Sequence, residues 1–228
     1  MIKDLDKLQK VIGYDFNDSG ILRQALIHPS YSGEMRMQRY ESNQRLEFLG
    51  DAVLELVVSE YLYKEHPQIE EGELTRKRSS LVFEAALNEC AKLIGLGDFI
   101  YLGRGEDMGQ GREKPSILSD TFEAVIGAIY LDGGFEAAKQ FIHSFVINNI
   151  QEMSLLRDGK SLIQRHVQQD PEAVLEYKTE ETDETIASER FKAKLYINGK
   201  LISEGRGQSK KQAEQNAAVT ACKKLNVK

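Results

Sequence analysis

The sequence predicts an all-α domain followed by a small α+β domain with the element order α-β-β-β-α. From Leu5 to Leu156, apolar residues recur three and four positions apart, which is the period of helices that bury one face. Beyond this stretch the pattern changes to short runs of strand character, followed by one last helical run. We therefore expect helices packed on helices in the first domain and a small sheet in the second.

The distribution of charge supports the same division. The whole chain carries a net charge of −6, but residues 158–228 have a balance of +2 and residues 1–157 a balance of −8. An acidic first part and a mildly basic second part indicate domains with different tasks. We expect these domains over residues 1–153 and 157–228, joined by a short hinge near residues 154–159.

Composition excludes several classes of protein. The chain has 228 residues, of which 41% are apolar, so it can bury a sizeable core. Its apolar runs fall far short of the roughly 20 residues of a membrane span, and its first ten residues lack the apolar stretch of a signal peptide. Cys90 and Cys222 have no metal-ligand spacing. We therefore expect a cytoplasmic, globular protein with two buried thiols and no membrane partner.

The first domain contains five stretches with the helical period, separated by breaks at prolines and glycines. These stretches are residues 21–27, 46–63, 74–94, 117–131 and 135–150, with the last break at residues 132–134. The glycine-rich segment GRGEDMGQGREKP begins at Gly103 but lacks the Gly-Lys-Ser/Thr sequence of a phosphate-binding loop. We expect a mobile surface loop there and no nucleotide cofactor.

The second domain contains three runs of strand character, of which residues 191–197 alternate between apolar and polar. A helix is expected over residues 160–169, strands over 173–178, 191–198 and 201–205, and a final helix over 210–225. The dipeptide Asn198-Gly199 is a strong signal for a tight hairpin turn between the last two strands.

Acidic side chains occur in pairs inside two otherwise apolar helical stretches. Glu47 and Asp51 are four residues apart in NQRLEFLGDAVL, and Asp120 and Glu123 are three apart in SDTFEAVIGAIYLDGG. These spacings place each pair on one side of its helix. Because like charges four residues apart repel by a few tenths of a kcal/mol, we expect a compensating partner.

A glycine accompanies each acidic pair, although glycine inside a helix costs about 1 kcal/mol relative to alanine. If the helices approach closely at Gly50 and Gly127, four carboxylates converge. Burial and mutual repulsion disfavour unpaired carboxylates, so protons or cations must neutralise them. An all-oxygen site favours Mg²⁺, or Mn²⁺ in its place, and suits phosphodiester hydrolysis. The alternative is that each pair lies on a solvated helix face.

These motifs resemble the ribonuclease III family over nearly the whole chain. NQRLEFLGDAVL looks like its signature, SDTFEAVIGAIYLDGG resembles its second acidic motif, and ALIHPSY at residues 25–31 matches a further element. The resemblance implies an endonuclease domain that binds Mg²⁺. Its ligands would be the four carboxylates, with Asp51 and Glu123 as the catalytic pair, and Glu71 would contact the cleavage region.

Three positions have a second interpretation. Gln44 replaces a glutamate that many family members carry, so it can contact RNA or a metal-bound water but cannot neutralise a cation. Glu71 is also a favourable charge in the first turn of a helix. Phe48, next to Glu47, is a candidate for a dimer interface, and its alternative is ordinary core packing.

The last helix carries features of an anion site at its start. Ser209 is the expected N-cap, and Lys210 and Lys211 follow in the first turn, where cations oppose the helix dipole unless an anion binds there. The second domain resembles a double-stranded RNA-binding domain. This resemblance implies contacts from Gln164 and Gln168 with a minor groove and from the lysines with phosphates.

One segment departs from that pattern. Residues 180–189 are rich in acids and lack the usual Gly-Pro-X-His sequence between the first two strands. The sequence therefore offers no recognisable motif for a second minor-groove contact.

The motifs together predict an Mg²⁺-dependent endoribonuclease. It would cleave double-stranded RNA to 5′-phosphate and 3′-hydroxyl ends, in structured RNAs such as ribosomal RNA precursors and some mRNAs. The resemblance implies a homodimer. The first alternative is a non-cleaving double-stranded RNA-binding protein on the same fold, and the second is a phosphohydrolase acting on small molecules.

Overall fold

The computed structural model describes residues 3–182 and 190–227, and the chain folds into two compact units, Met1–Asn149 and Ile150–Lys228. The first unit is helical, and the second combines helices with a three-stranded sheet. The predicted fold class, an all-α unit followed by a small α+β unit, is confirmed.

The first unit contains eight α-helices among its described residues. Short 3₁₀ turns connect several of them. The helices are α1 (Leu5–Ile12), α2 (Ser19–Ala25), α3 (Pro29–Glu34), α4 (Gln44–Glu65), α5 (Glu71–Ser79), α6 (Glu84–Leu93), α7 (Arg104–Met108) and α8 (Pro115–Phe145).

Helices α4 and α8 form the centre of the first unit and make its most extensive contact. Leu54 on α4 and Phe122 and Ile126 on α8 are fully buried between the surrounding helices. The contact is unusually close, because a Cβ added to Gly50 would lie 1.8 Å from the backbone oxygen of Glu123. A Cβ on Gly127 would likewise lie 2.2 Å from the backbone oxygen of Leu46. The predicted close approach of the two acidic helices is confirmed.

Three helix boundaries differ from the sequence expectation. Residues 74–94 form two helices rather than one, and the Ser80 hydroxyl donates to the Lys77 carbonyl where α5 ends. The break at residues 132–134 is a kink within α8, at Gly134 with φ of 79°. The expected mobile loop after Gly103 instead contains α7, and ion pairs Arg112–Asp107 and Lys114–Glu106 hold this segment.

The second unit consists of α9 (Ile150–Val167), β1 (Leu175–Glu181), β2 (Phe191–Ile197), β3 (Lys200–Gly207) and α10 (Lys210–Leu225). The strands form an antiparallel sheet in the order β1-β2-β3. Asn198 and Gly199 both have positive φ, 51° and 75°, as the predicted tight turn between β2 and β3 requires.

Small residues let α10 lie directly on the sheet. Ala213, Ala217, Ala218 and Ala221 are fully buried. A Cβ on Gly205 of β3 would lie 2.1 Å from the backbone nitrogen of Ala217. The alanine face therefore has the predicted structural role.

Residues 154–159, where the sequence predicts the hinge between the two domains, lie within α9. A Cβ added to Gly159 would lie 3.1 Å from the backbone nitrogen of Val219. The glycine permits close contact between α9 and α10, and the helix begins ten residues before the expected Lys160.

Two further expectations concern burial. Cys90 and Cys222 are both buried free thiols, as predicted. Within residues 3–182 and 190–227, no helix combines the length and apolar character needed to cross a membrane.

The contact between α4 and α8 predicts that Gly50→Ala lowers the free energy of unfolding by at least about 2 kcal/mol, because the new methyl group meets backbone that cannot move independently. Urea denaturation measures this loss. Gly72→Ala is the matched control, since a Cβ added to this helical glycine would have no atom within 4 Å apart from its chain neighbours and its own helix backbone. It should leave stability unchanged or raise it by less than about 1 kcal/mol. Equal effects of the two substitutions would contradict the interpretation.

Candidate functional site

The candidate metal centre lies where α4 and α8 cross. Glu47 projects from the first turn of α4, and Asp120 and Glu123 lie one turn apart on α8. Carboxylate oxygens of these three residues all lie within 4.8 Å of one another, and all three side chains are half-buried. The close approach at Gly50 brings the two helix faces together at this point.

The electrostatics of this trio favour neutralisation. Burial, followed by the charges of Asp120 and Asp51, raises the pKa of Glu47 to about 7. Burial, followed by the charges of Asp51, Asp120 and Glu47, raises the pKa of Glu123 to about 8. In the absence of a cation, protons therefore compete for these carboxylates near neutral pH.

Asp51 differs from the other three predicted ligands. It is exposed and is not part of the trio whose oxygens lie within 4.8 Å. It is nevertheless close enough for its charge to be the second largest cause of the raised pKa of Glu123. Three of the four predicted ligands therefore meet within 4.8 Å, and the exposed Asp51 lies beside them.

Two neighbours of Asp120 were not identified from the sequence. Burial raises the pKa of Asp120, a hydrogen bond donated by the Ser119 hydroxyl at 3.4 Å lowers it, and the charge of Glu84 raises it. Glu84 is the first residue of α6, which packs against α8. In the sequence, Glu84 is only an acid in the first turn of a helix, where a negative charge commonly interacts favourably with the helix dipole.

The donor set fits a hard divalent cation. The trio presents only carboxylate oxygens, and no histidine or cysteine belongs to it. Such ligands suit Mg²⁺ or Mn²⁺, and the positive charge would relieve the repulsion that raises the pKa values. Glu47, Asp120 and Glu123 are therefore the residues that could hold the ion.

Two predicted contact residues lie outside the trio. Gln44 is the exposed first residue of α4, three residues before Glu47. Glu71 is the exposed first residue of α5, and its carboxylate accepts a hydrogen bond from the Thr75 hydroxyl at 3.1 Å. Both side chains are accessible to a ligand.

Phe48 is not a core residue. Its side chain is 80% exposed, so the alternative of ordinary core packing is wrong. Leu56 and Tyr63 are also exposed, and their spacing places all three on one face of α4. This apolar stripe runs along α4 beside the acidic site.

The start of α10 has the predicted cap and free cations. The Ser209 hydroxyl accepts a hydrogen bond from the Gln212 backbone N–H at 3.2 Å. Lys210 and Lys211 are exposed and form no ion pair within the described residues. Four cations in or next to the sheet, in contrast, are paired with acids: Lys178–Glu176, Arg190–Glu181, Lys192–Glu204 and Lys194–Glu180. The start of α10 therefore presents two neighbouring positive charges that no acid in the described part of the chain neutralises by an ion pair.

The remaining predicted contacts lie on or near α9. Gln164 and Gln168 are exposed, one turn apart near the end of the helix. Most of the acid-rich segment 180–189 falls outside the described residues.

Comparison with known proteins identifies the family. Residues 18–150 match a family model described as ribonuclease-III-like, and residues 160–225 match the double-stranded RNA binding motif. The chain belongs to the ribonuclease III family. It is therefore an endoribonuclease of that family, with a double-stranded RNA binding motif in its second unit.

Individual relatives agree with this assignment. Ribonuclease 3 of Bacillus licheniformis is 42% identical over 96% of this chain and 89% of its own length. The nuclease domain of ribonuclease III from Campylobacter jejuni is 43% identical, with a TM-score of 0.60, over 65% of this chain and 97% of that domain. A second structure of that domain, which concerns flexibility in a region involved in dimer formation, gives a TM-score of 0.60 and the same identity over 64% and 98%.

The raised pKa of Glu123 predicts how stability depends on pH when metal is absent. Between about pH 4.5 and about pH 8 the folded protein retains a proton that the unfolded chain has released. The free energy of unfolding should therefore fall as pH rises through this window, by about 1–3 kcal/mol from this group. Glu123→Gln should flatten the fall, measured by urea denaturation in EDTA.

The exposed Glu65, at the end of α4, provides a control. Glu65→Gln should keep the wild-type dependence. If the free energy of unfolding of Glu123→Gln depended on pH as in the wild type, the Glu123 carboxylate would not be the source of that dependence.

Proposed function

We propose that this endoribonuclease hydrolyses double-stranded RNA in a Mg²⁺-dependent reaction and leaves 5′-phosphate and 3′-hydroxyl ends. The observation that carries the proposal is the convergence of Glu47, Asp120 and Glu123 within 4.8 Å at the crossing of α4 and α8. A protein that only binds RNA would gain nothing from concentrating negative charge where a polyanion must lie.

The position of each acidic residue suggests its role in the proposed reaction. Glu47, Asp120 and Glu123 would hold the cation, and Asp51 would complete the site from its exposed side. When bound, Mg²⁺ activates water and neutralises charge on the attacked phosphate and on the leaving oxygen. Asp51 and Glu123 are proposed as the catalytic pair that orients the attacking water and accepts its proton.

The proposed end groups follow from the bond that breaks. Water oxygen would bond to phosphorus while the bond between phosphorus and the 3′-oxygen breaks. The 3′-oxygen takes up a proton and becomes a hydroxyl group. The phosphate stays bonded to the 5′-oxygen of the next nucleotide, which gives the 5′-phosphate end. Gln44 and Glu71, both exposed, would contact the RNA around the cleaved bond.

We propose that the enzyme acts as a homodimer. Within the described residues each chain has one convergent acidic group, so each site would cut one strand and two sites would be needed to sever a duplex. Phe48 is 80% exposed next to Glu47, and an exposed phenylalanine of this size suits a partner surface. The Campylobacter nuclease domain is itself described with a region involved in dimer formation.

The second unit would bind the duplex. Gln164 and Gln168 would contact 2′-hydroxyls and base edges in a minor groove, and Lys210 and Lys211 would contact phosphates. Such binding responds to the shape of A-form RNA more than to its sequence. We propose structured RNAs such as ribosomal RNA precursors and some mRNAs as substrates, in the cytoplasm, with Mn²⁺ as a substitute for Mg²⁺.

The central test is Glu123→Ala in the full chain. We expect duplex cleavage in Mg²⁺ to fall by at least about 100-fold while duplex binding stays within about threefold. Glu65→Ala is the matched control and should cleave normally. EDTA should abolish cleavage by the wild type, and added Mg²⁺ should restore it. Normal cleavage by Glu123→Ala would contradict the catalytic assignment, and a wild type that binds but never cleaves would favour the non-cleaving binding protein.

A second test addresses the start of α10. Replacement of Lys210 and Lys211 by alanine should weaken duplex binding and lower the slope of log affinity against log salt by about 2, because two phosphate contacts are lost. Replacement of the paired cations Lys178 and Lys194 by alanine is the control and should change the slope by less than about 0.5. Unchanged binding of the first variant, measured by fluorescence anisotropy over a range of salt, would refute the phosphate contact.

A further inference from the structure

The segment between α3 and α4, Met35–Asn43, is here called the arginine segment. Its backbone is held in place although much of it is exposed. The Gln24 side-chain amide donates hydrogen bonds to the carbonyls of Tyr40 at 3.0 Å and Ser42 at 3.3 Å, and the Asn43 N–H donates to the Ile27 carbonyl at 2.8 Å. The segment therefore presents its side chains from a fixed framework.

Arg36 and Arg39 of this segment are exposed cations without partners. Within residues 3–182 and 190–227, neither side chain forms an ion pair or a hydrogen bond. The nearest acids in the sequence are already engaged: Glu34 accepts a hydrogen bond from the Arg104 backbone N–H at 2.7 Å, and Glu41 accepts one from the Gln38 N–H at 2.6 Å.

The first unit has an excess of acids, so partners for its cations are plentiful. Many of its other cations form ion pairs, namely Lys64 and Lys139 with Glu60, Arg78 with Glu55, Lys92 with Glu89, Arg104 with Glu34, Arg112 with Asp107 and Lys114 with Glu106. Two neighbouring guanidinium groups left unneutralised form a local anion-binding surface.

Arg36 has a backbone conformation that is unusual for an arginine. Its φ of 56° lies in the left-handed region, just after α3 ends, where glycine or asparagine is the usual residue. Arginine is strained in this conformation, and among the described residues its side chain forms no ion pair or hydrogen bond that would offset the strain. A ligand for the guanidinium group would account for its presence.

The arginine segment leads directly into the acidic site. Asn43 precedes α4, and Glu47 follows four residues later in the first turn. With extended spacing before α4 and helical spacing within it, the Cα atoms of Arg39 and Glu47 are at most about 20 Å apart. This distance is less than one turn of a nucleic acid duplex, which is about 34 Å in B-form DNA.

We propose that Arg36 and Arg39 bind phosphates of the duplex RNA in the first unit, next to the acidic site and independently of the double-stranded RNA binding motif. The proposal rests on the proposed function, since it assumes that a duplex lies at the trio of carboxylates. Paired donors on a guanidinium group match the oxygens of a phosphate, which favours the RNA backbone over an apolar partner. The two arginines would attract the RNA backbone and so offset its repulsion by the acidic residues where α4 and α8 cross.

The test variant is Arg36→Gly combined with Arg39→Ala, in the full chain. Glycine removes the cation at residue 36 and relieves the left-handed backbone, so the melting temperature should stay equal or rise. Duplex binding should weaken about 3- to 30-fold, and the slope of log affinity against log salt should fall by about 2. Binding is measured in the Glu123→Ala background so that the duplex stays intact, and single-turnover cleavage is measured in the wild-type background.

The matched control is Lys7→Ala combined with Lys10→Ala. It removes the same charge from exposed lysines of α1 that form no ion pair within the described residues. The control should keep the affinity within about twofold. An arginine variant with unchanged affinity and salt slope would overturn the proposal, and so would an equal loss in the lysine control, because net charge alone would then explain the effect. A wild type that neither binds nor cleaves a duplex would instead overturn the proposed function.

Discussion

The structure of the first unit depends on the backbone contact between α4 and α8 at Gly50 and Gly127. A methyl group at either position would overlap a backbone carbonyl oxygen of the other helix. Both glycines are unfavourable inside a helix, and the close helix contact explains why they are there. The same contact sets the distance between the acidic residues, so packing and chemistry are determined by one geometric constraint.

That constraint creates an electrostatic problem in the protein itself. Glu47, Asp120 and Glu123 are half-buried within 4.8 Å of one another, and the pKa values of all three are raised. The apolar core on the far side of the same helices supplies the stability that tolerates this repulsion. A bound cation would reduce the repulsion among the carboxylates, and its positive charge would also allow a phosphate to approach them. The surfaces beside it carry the free arginines and the exposed Phe48.

Sequence patterns predicted the acidic pairs on two helices, the close approach at the two glycines and the hairpin at Asn198-Gly199. Each of these features depends on local spacing or turn chemistry. The patterns did not predict that Asp51 lies outside the trio, since this depends on the angle at which α4 and α8 cross. The approach of Glu84 to Asp120 was missed for a similar reason, because no local rule brings α6 to that point. The early start of α9 was missed because the sequence signal for this helix began only at Lys160.

The most direct measurement is X-ray diffraction from crystals of the full chain grown with Mn²⁺, using its anomalous scattering to locate the ion. We expect the strongest anomalous peak within coordination distance, about 2.0–2.4 Å, of oxygens from Glu47, Asp120 and Glu123. Bound manganese elsewhere, with no peak among these three carboxylates at saturating Mn²⁺, would contradict the claim that the helix crossing builds a metal centre.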